Sequence, residues 1–459
     1  MHQRTASAQR QAAMAIVFGF VVAITPSIVL GQISAKQLLA PAVKSYGPQY
    51  SDVERAVASF RAANFEECRA NLTKARTSHP ELAPVDIMLA LLHLSVGKTA
   101  PAMAALDRAV INTPDDPEAY VLLADLALRD GQRTVADLGY RKAQEVLVTF
   151  DANERRKKSL VVRVHAGMAS LCEVRGQYAQ AEQHLKSWEK EDADNPLVHG
   201  SLGRIYFRLQ EYEKARESFA KLTKNEDEAP PVEVAMGRLF HEVGMSDEAT
   251  TQMQEAAKRY PDDLRVHLAV AAWAFSAGNR ELAKASVAAA AKLSEQSVQT
   301  AVMSARLARI EGDLDEAESI LNNVVLRNPT SFAATNELAR VLANSDDPEK
   351  IKASLQYARR NYAAFAKKKS LATVESVVTY AWCLYRNERL ADAEVALRTV
   401  PSGSNISPEN TYYSGRIYLE RGQRRAAISA LRAATTSPSL FPGRSAANEV
   451  LAELTSSPE

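Results

Sequence analysis

Residues 231–261 read PVEVAMGRLFHEVGMSDEATTQMQEAAKRYP and contain two helical patterns separated by a glycine. In the first half, Met236 and Phe240 have the four-residue spacing of one helix face, and in the second half Ala249 and Met253 repeat it. Glycine readily takes the left-handed conformation that ends a helix, and the closing proline cannot continue one. The stretch therefore predicts a hairpin of two helices.

The same pattern recurs at intervals of about 34 residues through most of the chain. We number each repeat so that Gly237 is position 8 and Ala249 is position 20. Position 8 is always glycine or alanine: Ala56, Ala90, Ala124, Ala169, Gly203, Gly237, Ala271, Ala305, Ala339, Ala381 and Gly415. Position 20 is equally small: Cys68, Ala102, Ala136, Ala181, Ala215, Ala249, Ala283, Ala317, Ser354, Ala393 and Ala427. Small residues at two fixed positions predict close approach of the paired helices, since a larger side chain would force them apart.

These residues resemble the tetratricopeptide repeat, a helical hairpin with a period of 34 residues. The shared features are the small residues at positions 8 and 20, the glycine between the helices, the closing proline and a larger apolar residue at position 24, such as Leu321. The resemblance implies an all-α fold, a right-handed superhelical solenoid of about eleven helical hairpins with a C-terminal capping helix. Each repeat of a solenoid contacts its neighbours, so 459 residues need no single central core.

The period divides the chain into four segments. We predict a signal peptide or N-terminal membrane anchor at 1–31, a leader at 32–48, the repeat array at 49–442, and a capping helix and tail at 443–459. Longer steps in the period predict irregular joints near residues 146–160, 344–350, 362–373 and 401–408. The first joint carries a basic run, and we expect it to extend the second helix of repeat three before a solvated turn.

The N-terminus predicts export. A polar start with Arg4 and Arg10 and no acidic residue precedes an apolar run at 12–30, and Gly31 offers the small residue that signal-peptide cleavage requires. An uncleaved anchor is the alternative, because about 19 apolar residues are just long enough to span a bilayer. Either outcome predicts a periplasmic location, free or anchored in the inner membrane.

Charge and composition exclude several functions. Lys and Arg total 56 against 55 Asp and Glu, so a net charge of +1 creates no field that would recruit nucleic acid. Gly97-Lys98-Thr99 resembles the end of a phosphate-binding loop but lacks its first glycine, and His241 lacks the second histidine of a zinc-protease helix. We therefore expect no enzyme, no cofactor and no metal site.

The resemblance implies that the first helix of each hairpin lines a concave groove, which position 9 faces. This position changes midway along the chain from apolar residues to arginine. The candidate partner-binding residues are five arginines at this position, which we call the arginine row, and three nearby aromatic residues: Arg204, Arg238, Arg306, Arg340, Arg416, Trp382, Tyr385 and Tyr412. Arginine binds carboxylates through paired hydrogen bonds and stacks on rings, so the row suits an acidic segment. The opposite interpretation is internal pairing with nearby acids: Glu233, Glu242, Glu337 or Glu409.

Together these patterns favour a non-enzymatic scaffold or adaptor that binds a partner protein or peptide in the groove, within the cell envelope. The alternative is an accessory scaffold for exopolysaccharide binding or export, in which groove aromatics stack on sugar rings. A membrane tether through residues 12–30 is compatible with either function.

Overall fold

The computed structural model describes residues 33–226, 228–365, 371–400, 404 and 406–456. Every regular element in these ranges is helical, which confirms the all-α prediction. None of the described helices is long and apolar enough to cross a membrane. The predicted signal peptide or anchor at 1–31, with its tether at 12–30, lies outside the described residues, as do parts of the joints near 362–373 and 401–408.

The chain divides into two units, Met1–Ala229 and Pro230–Glu459. The N-terminal unit contains a short helix α1, a 3₁₀ turn at Pro48–Tyr50 and five successive helix pairs. Its helices are α1 Ala35–Leu39, α2 Ser51–Arg61, α3 Phe65–Ser78, α4 Val85–Ser95, α5 Thr99–Asn112, α6 Pro117–Arg129, α7 Arg133–Thr149, α8 Glu154–Val174, α9 Tyr178–Glu191, α10 Pro196–Arg208 and α11 Tyr212–Asn225.

The C-terminal unit continues with helix pairs and ends in a single helix. Its helices are α12 Val232–Glu242, α13 Ser246–Arg259, α14 Leu264–Ala277, α15 Arg280–Leu293, α16 Val298–Glu311, α17 Leu314–Arg327, α18 Phe332–Ala343, α19 Pro348–Phe365, α20 Leu371–Arg386, α21 Leu390–Leu397, α22 Pro408–Glu420, α23 Arg424–Thr436 and α24 Arg444–Ser456. The predicted capping helix is confirmed: α24 packs on α23 and buries Ala447 completely.

Burial at positions 8 and 20 explains the hairpins. Every residue predicted at these positions is buried, and the alanines at position 20 have no exposed surface. Gly203 shows why position 8 is small, because a Cβ added there would lie 2.6 Å from the ring of Phe219 at position 24. The two helices of a pair therefore meet at distances that only small side chains permit.

The turn between the two helices uses left-handed backbone at position 15 in three repeats that have no glycine there. Gly244 has φ +82°, as expected for a helix-ending glycine. The equivalent residues Ala63, Gln210 and Glu388 have φ of 59°, 64° and 62°. L-residues rarely adopt this conformation, so the packing of the two flanking helices imposes it.

The joint between repeats three and four contains a buried arginine. Helix α7 ends at Thr149 and α8 begins at Glu154, so the basic run lies in the first turns of α8. Arg156 is only 2% exposed and forms ion pairs with Asp116 at 2.8 Å and Glu118 at 2.7 Å. The basic run therefore extends the first helix of repeat four and not, as expected, the second helix of repeat three. Two carboxylates, from α6 and its N-terminal cap, compensate the burial of Arg156.

Candidate functional site

First helices of four repeats in the C-terminal unit bring charged side chains together. We call this group the inner cluster: Arg309, Glu337, Arg340, Glu375, Glu409 and Tyr413. Arg309 of α16 lies 2.7 Å from Glu337 of α18 and 2.8 Å from Glu409 of α22. Because α16 belongs to repeat eight and α22 to repeat eleven, this contact joins repeats that are not sequence neighbours. The C-terminal unit thus closes on the side formed by its first helices.

Arg340, a member of the arginine row, belongs to this cluster. Its guanidinium forms ion pairs with Glu375 and with Glu409 at 3.4 Å, and its Nε donates to the Thr379 hydroxyl at 3.0 Å. The side chain is 7% exposed. Internal pairing, the alternative considered for the row, is what the structure shows at Arg340, and no free guanidinium remains there for a partner.

Burial and the charges of two arginines act in opposite directions on the pKa of Glu409. Burial alone would raise the pKa of Glu409, but the positive charges of Arg309 and Arg340 lower it to about 2. Tyr413 donates to Glu409 at 2.8 Å, and burial followed by the charge of Glu409 raises the pKa of Tyr413. The carboxylate of Glu409 is therefore ionised at neutral pH and balanced by two arginines.

The aromatic candidates also pack internally. Trp382 is 3% exposed and stacks on Tyr413 at 4.2 Å, and Tyr412 is 6% exposed. Tyr385 is half-buried, 5.2 Å from the Trp382 ring, and donates to Glu420 at 3.4 Å. Trp382 and Tyr412 consequently present no open face on which a sugar ring could stack.

The other members of the arginine row have separate environments. Arg204 pairs with Glu173 at 3.3 Å in the N-terminal unit. In the C-terminal unit, Arg238 is exposed and Arg306 lies 5.0 Å over the Phe275 ring. Arg416 donates to the Tyr412 hydroxyl at 3.4 Å. The arginines of the row thus share a repeat position but make different contacts. Glu233, one of their proposed acidic partners, pairs instead with Arg259 at 2.7 Å.

An apolar cavity of about 180 Å³ lies between repeats one and two of the N-terminal unit. It is lined by Ile33, Val57, Phe60, Arg61, Ala63, Phe65, Leu92, Ser95, Val96 and Lys98. Phe65 and Val96 remain 41% and 38% exposed, and the Lys98 ammonium lies 5.8 Å above the Phe65 ring. The sequence analysis considered Lys98 only as part of a motif that resembles a phosphate-binding loop. It did not predict this cavity, because the lining residues come from three different helices and their turns.

A histidine pair in the N-terminal unit predicts a pH-dependent stability. The Nδ1 atoms of His165 and His184 are 3.1 Å apart, and burial followed by the charge of His184 lowers the pKa of His165 to about 4. In the unfolded chain His165 is protonated below its ordinary pKa of 6.5, whereas in the folded chain it stays neutral down to about pH 4. The free energy of unfolding should therefore fall as the pH drops from 6.5 towards 4. Thermal melting of His165→Asn should depend less on pH in that window; an equally steep dependence would contradict the prediction.

Comparison with known families agrees with the hairpin geometry. Two family models, each describing a tetratricopeptide repeat, match residues 87–136 and 175–239. Residues 87–136 and 175–239 are thus similar to the tetratricopeptide repeat. The tetratricopeptide fold is that of a scaffold for protein–protein interaction. No curated protein matches the sequence.

Solved structures are similar to this chain at low sequence identity. A tetratricopeptide repeat protein from Parabacteroides merdae is 15% identical, with 64% of this chain and 99% of that chain covered and a TM-score of 0.33. Yeast Tom70 is 14% identical, with 92% and 96% covered and a TM-score of 0.37. PilF of Pseudomonas aeruginosa is 18% identical, with 50% and 98% covered and a TM-score of 0.29.

Proposed function

We propose that this tetratricopeptide array is a non-enzymatic scaffold that binds a partner protein or peptide in the cell envelope. The observation that carries the proposal is the open apolar cavity between repeats one and two. At about 180 Å³ it is smaller than the roughly 300–1,000 Å³ of sites that enclose a small molecule or cofactor. Its size suits one apolar side chain projecting from a partner chain.

Charge at the cavity's rim gives the partner a preferred chemistry. Arg61 and Lys98 both line the cavity, and Arg61 uses one of its donors on the Ile33 carbonyl at 3.3 Å. Two cations beside an apolar cavity favour a partner peptide in which an acidic residue lies next to the apolar residue that enters the cavity. Salt should weaken such binding, since it screens the exposed charges.

The proposed envelope location rests on the N-terminal sequence. The polar start, the apolar run at 12–30 and Gly31 have the order of an export signal. Cleavage would release the array into the periplasm, and an uncleaved segment would hold it at the inner membrane, facing the periplasm. Immunoblotting of periplasmic and membrane fractions distinguishes these outcomes, and a cytoplasmic array would contradict both.

Site-specific photo-crosslinking in cells tests the binding proposal. A photoreactive phenylalanine analogue at Val96, on the cavity's edge, should trap a defined partner, whereas the analogue at Ile111, 76% exposed on α5 of the same hairpin, should not. Adding Lys98→Glu should abolish the crosslink, and the matched charge change Lys74→Glu on α3 should leave it intact. Equal crosslinking at Val96 and Ile111, or an unchanged yield with Lys98→Glu, would refute binding at this cavity.

A further inference from the structure

A segment between the last two helices folds back onto repeat seven of the C-terminal unit. We call residues 437–443, which connect α23 to α24, the return segment. The Leu440 N–H donates to the Phe275 carbonyl at 2.7 Å, and the Ser439 hydroxyl donates to the Ser276 carbonyl at 3.0 Å. Both carbonyls belong to the last turn of α14, where a helix has no internal donors to satisfy them. The return segment supplies the missing donors.

The approach of the two backbones is close. Gly278 follows α14 with φ +79°, and a Cβ added there would lie 2.5 Å from the Pro438 carbonyl oxygen. Gly312 occupies the same repeat position after α16 with φ +93°, and nothing lies within 4 Å of its would-be Cβ. Contact with the return segment therefore distinguishes Gly278 from an otherwise equivalent glycine in the next repeat.

One aromatic side chain anchors the return segment. Phe441 is 4% exposed and lies 6.0 Å from the Tyr412 ring of α22. At the beginning of α24, Arg444 donates to the Ser439 and Thr435 carbonyls, both at 2.9 Å. On the receiving side, Arg306 covers the Phe275 ring. The segment thus makes the contacts of a bound peptide: two donors to the carbonyls of Phe275 and Ser276, and one buried ring.

We propose that the return segment is a built-in ligand of the surface formed by the end of α14 and the ring of Tyr412, and that this surface takes extended partner peptides of the same chemistry. Such a peptide carries a large aromatic side chain preceded by a backbone N–H and a hydroxyl that reach the carbonyls of Phe275 and Ser276. It binds by displacing residues 437–443. This inference deepens the proposed scaffold function, on which it rests, by adding a second, self-occupied site.

Hydrogen exchange tests whether the return segment is held as the structure indicates. In the full chain, Gly278→Ala should increase exchange of the Leu440 amide by at least 10-fold, because the new methyl group displaces the Pro438 carbonyl. Gly312→Ala introduces the same backbone strain without that contact and should leave the Leu440 amide as protected as in the parent. Equal exchange in the two variants would show that the segment does not depend on this contact, and would overturn the proposal.

Peptide capture tests the second half of the proposal. The probe is a fluorescein-labelled peptide of residues 436–444, TSPSLFPGR. Phe441→Ala weakens the internal segment but preserves the receiving surface, so it should bind the probe at least 10-fold more tightly than the parent does. If Phe441→Ala fails to fold, Leu440→Pro replaces it. This variant lacks the N–H that donates to the Phe275 carbonyl and should also bind the probe at least 10-fold more tightly than the parent. Adding Gly278→Ala to either variant, or replacing the probe's phenylalanine by alanine, should abolish capture.

The outcomes separate this inference from the scaffold function. Equal probe binding by the parent and by the folded Phe441→Ala and Leu440→Pro variants would overturn the displaceable ligand and leave residues 437–443 as a fixed connection. Crosslinking from Val96 would still report on the N-terminal cavity in that case. Loss of the Val96 crosslink with intact probe capture would instead refute the cavity and leave the surface on α14 as the binding site.

Discussion

Replacing Arg309 by methionine should lower the free energy of unfolding of the C-terminal unit by about 3–5 kcal/mol. The side chain has no exposed surface, and its removal leaves Glu337 and Glu409 buried with one cation fewer. An uncompensated buried carboxylate costs far more than the packing that a methionine can supply. Urea unfolding followed by circular dichroism measures the change.

An exposed ion pair in the same unit provides the control. Lys284 on α15 pairs with Glu311 at 3.1 Å, and its side chain is 60% exposed. Water screens this pair, so Lys284→Met should change the free energy of unfolding by no more than about 1 kcal/mol. A similarly small effect of Arg309→Met would mean that Arg309 is solvated and that the inner cluster is not buried.

Leu321→Ala should destabilise the C-terminal unit by about 2–5 kcal/mol. Leu321 occupies position 24 of repeat eight, is completely buried, and fills the space beside Ala305 and Ala317 at positions 8 and 20. Removing the methine carbon and two methyl carbons leaves a cavity that the close-packed helices cannot fill. Urea unfolding again gives the measurement.

Leu326 on the same helix is the matched control. It is 81% exposed, so Leu326→Ala loses no packing and should stay within about 0.5 kcal/mol of the parent. Both variants exchange leucine for alanine on the same helix, so burial is the main difference between them. Equal effects would show that the repeat numbering is wrong at this hairpin.

The hairpins could be predicted from sequence because their determinants are local. Small residues at positions 8 and 20 meet within one repeat, so the 34-residue spacing reveals them without any knowledge of how distant repeats are arranged. The left-handed turn was only partly predictable. Gly244 signals it by residue type, whereas Ala63 and Glu388 adopt it under the constraint of the helices they connect.

The inner cluster is formed by contacts between repeats that are not sequence neighbours, and the repeat pattern does not predict such contacts. Glu409 was recognised as a possible partner of the arginine row, but its contact with Arg309 spans repeats eight to eleven. Whether those repeats touch is set by the helix crossing at every intervening joint, including the long helix α19 and the short helix α21. The return segment is similarly non-local, since Leu440 reaches a carbonyl more than a hundred residues earlier.

Burial of Arg340 changes how the arginine row should be tested. Replacing Arg340 by glutamate would add a fourth carboxylate to Glu337, Glu375 and Glu409 and should destabilise the unit whether or not the row binds a partner. Arg238, which is exposed, can be replaced by glutamate without that complication. Only such variants distinguish a binding role from a structural one.

The contact between Arg309 and Glu409 decides whether the C-terminal unit closes through its first helices. A double-mutant cycle with Arg309→Met and Glu409→Gln measures that contact, because the coupling energy between two side chains vanishes when they do not interact. We expect a coupling of about 2–3 kcal/mol from urea unfolding of the parent, the two single variants and the double variant. Additivity of the two substitutions within about 0.5 kcal/mol would show that repeats eight and eleven do not meet, and would contradict the closed inner cluster.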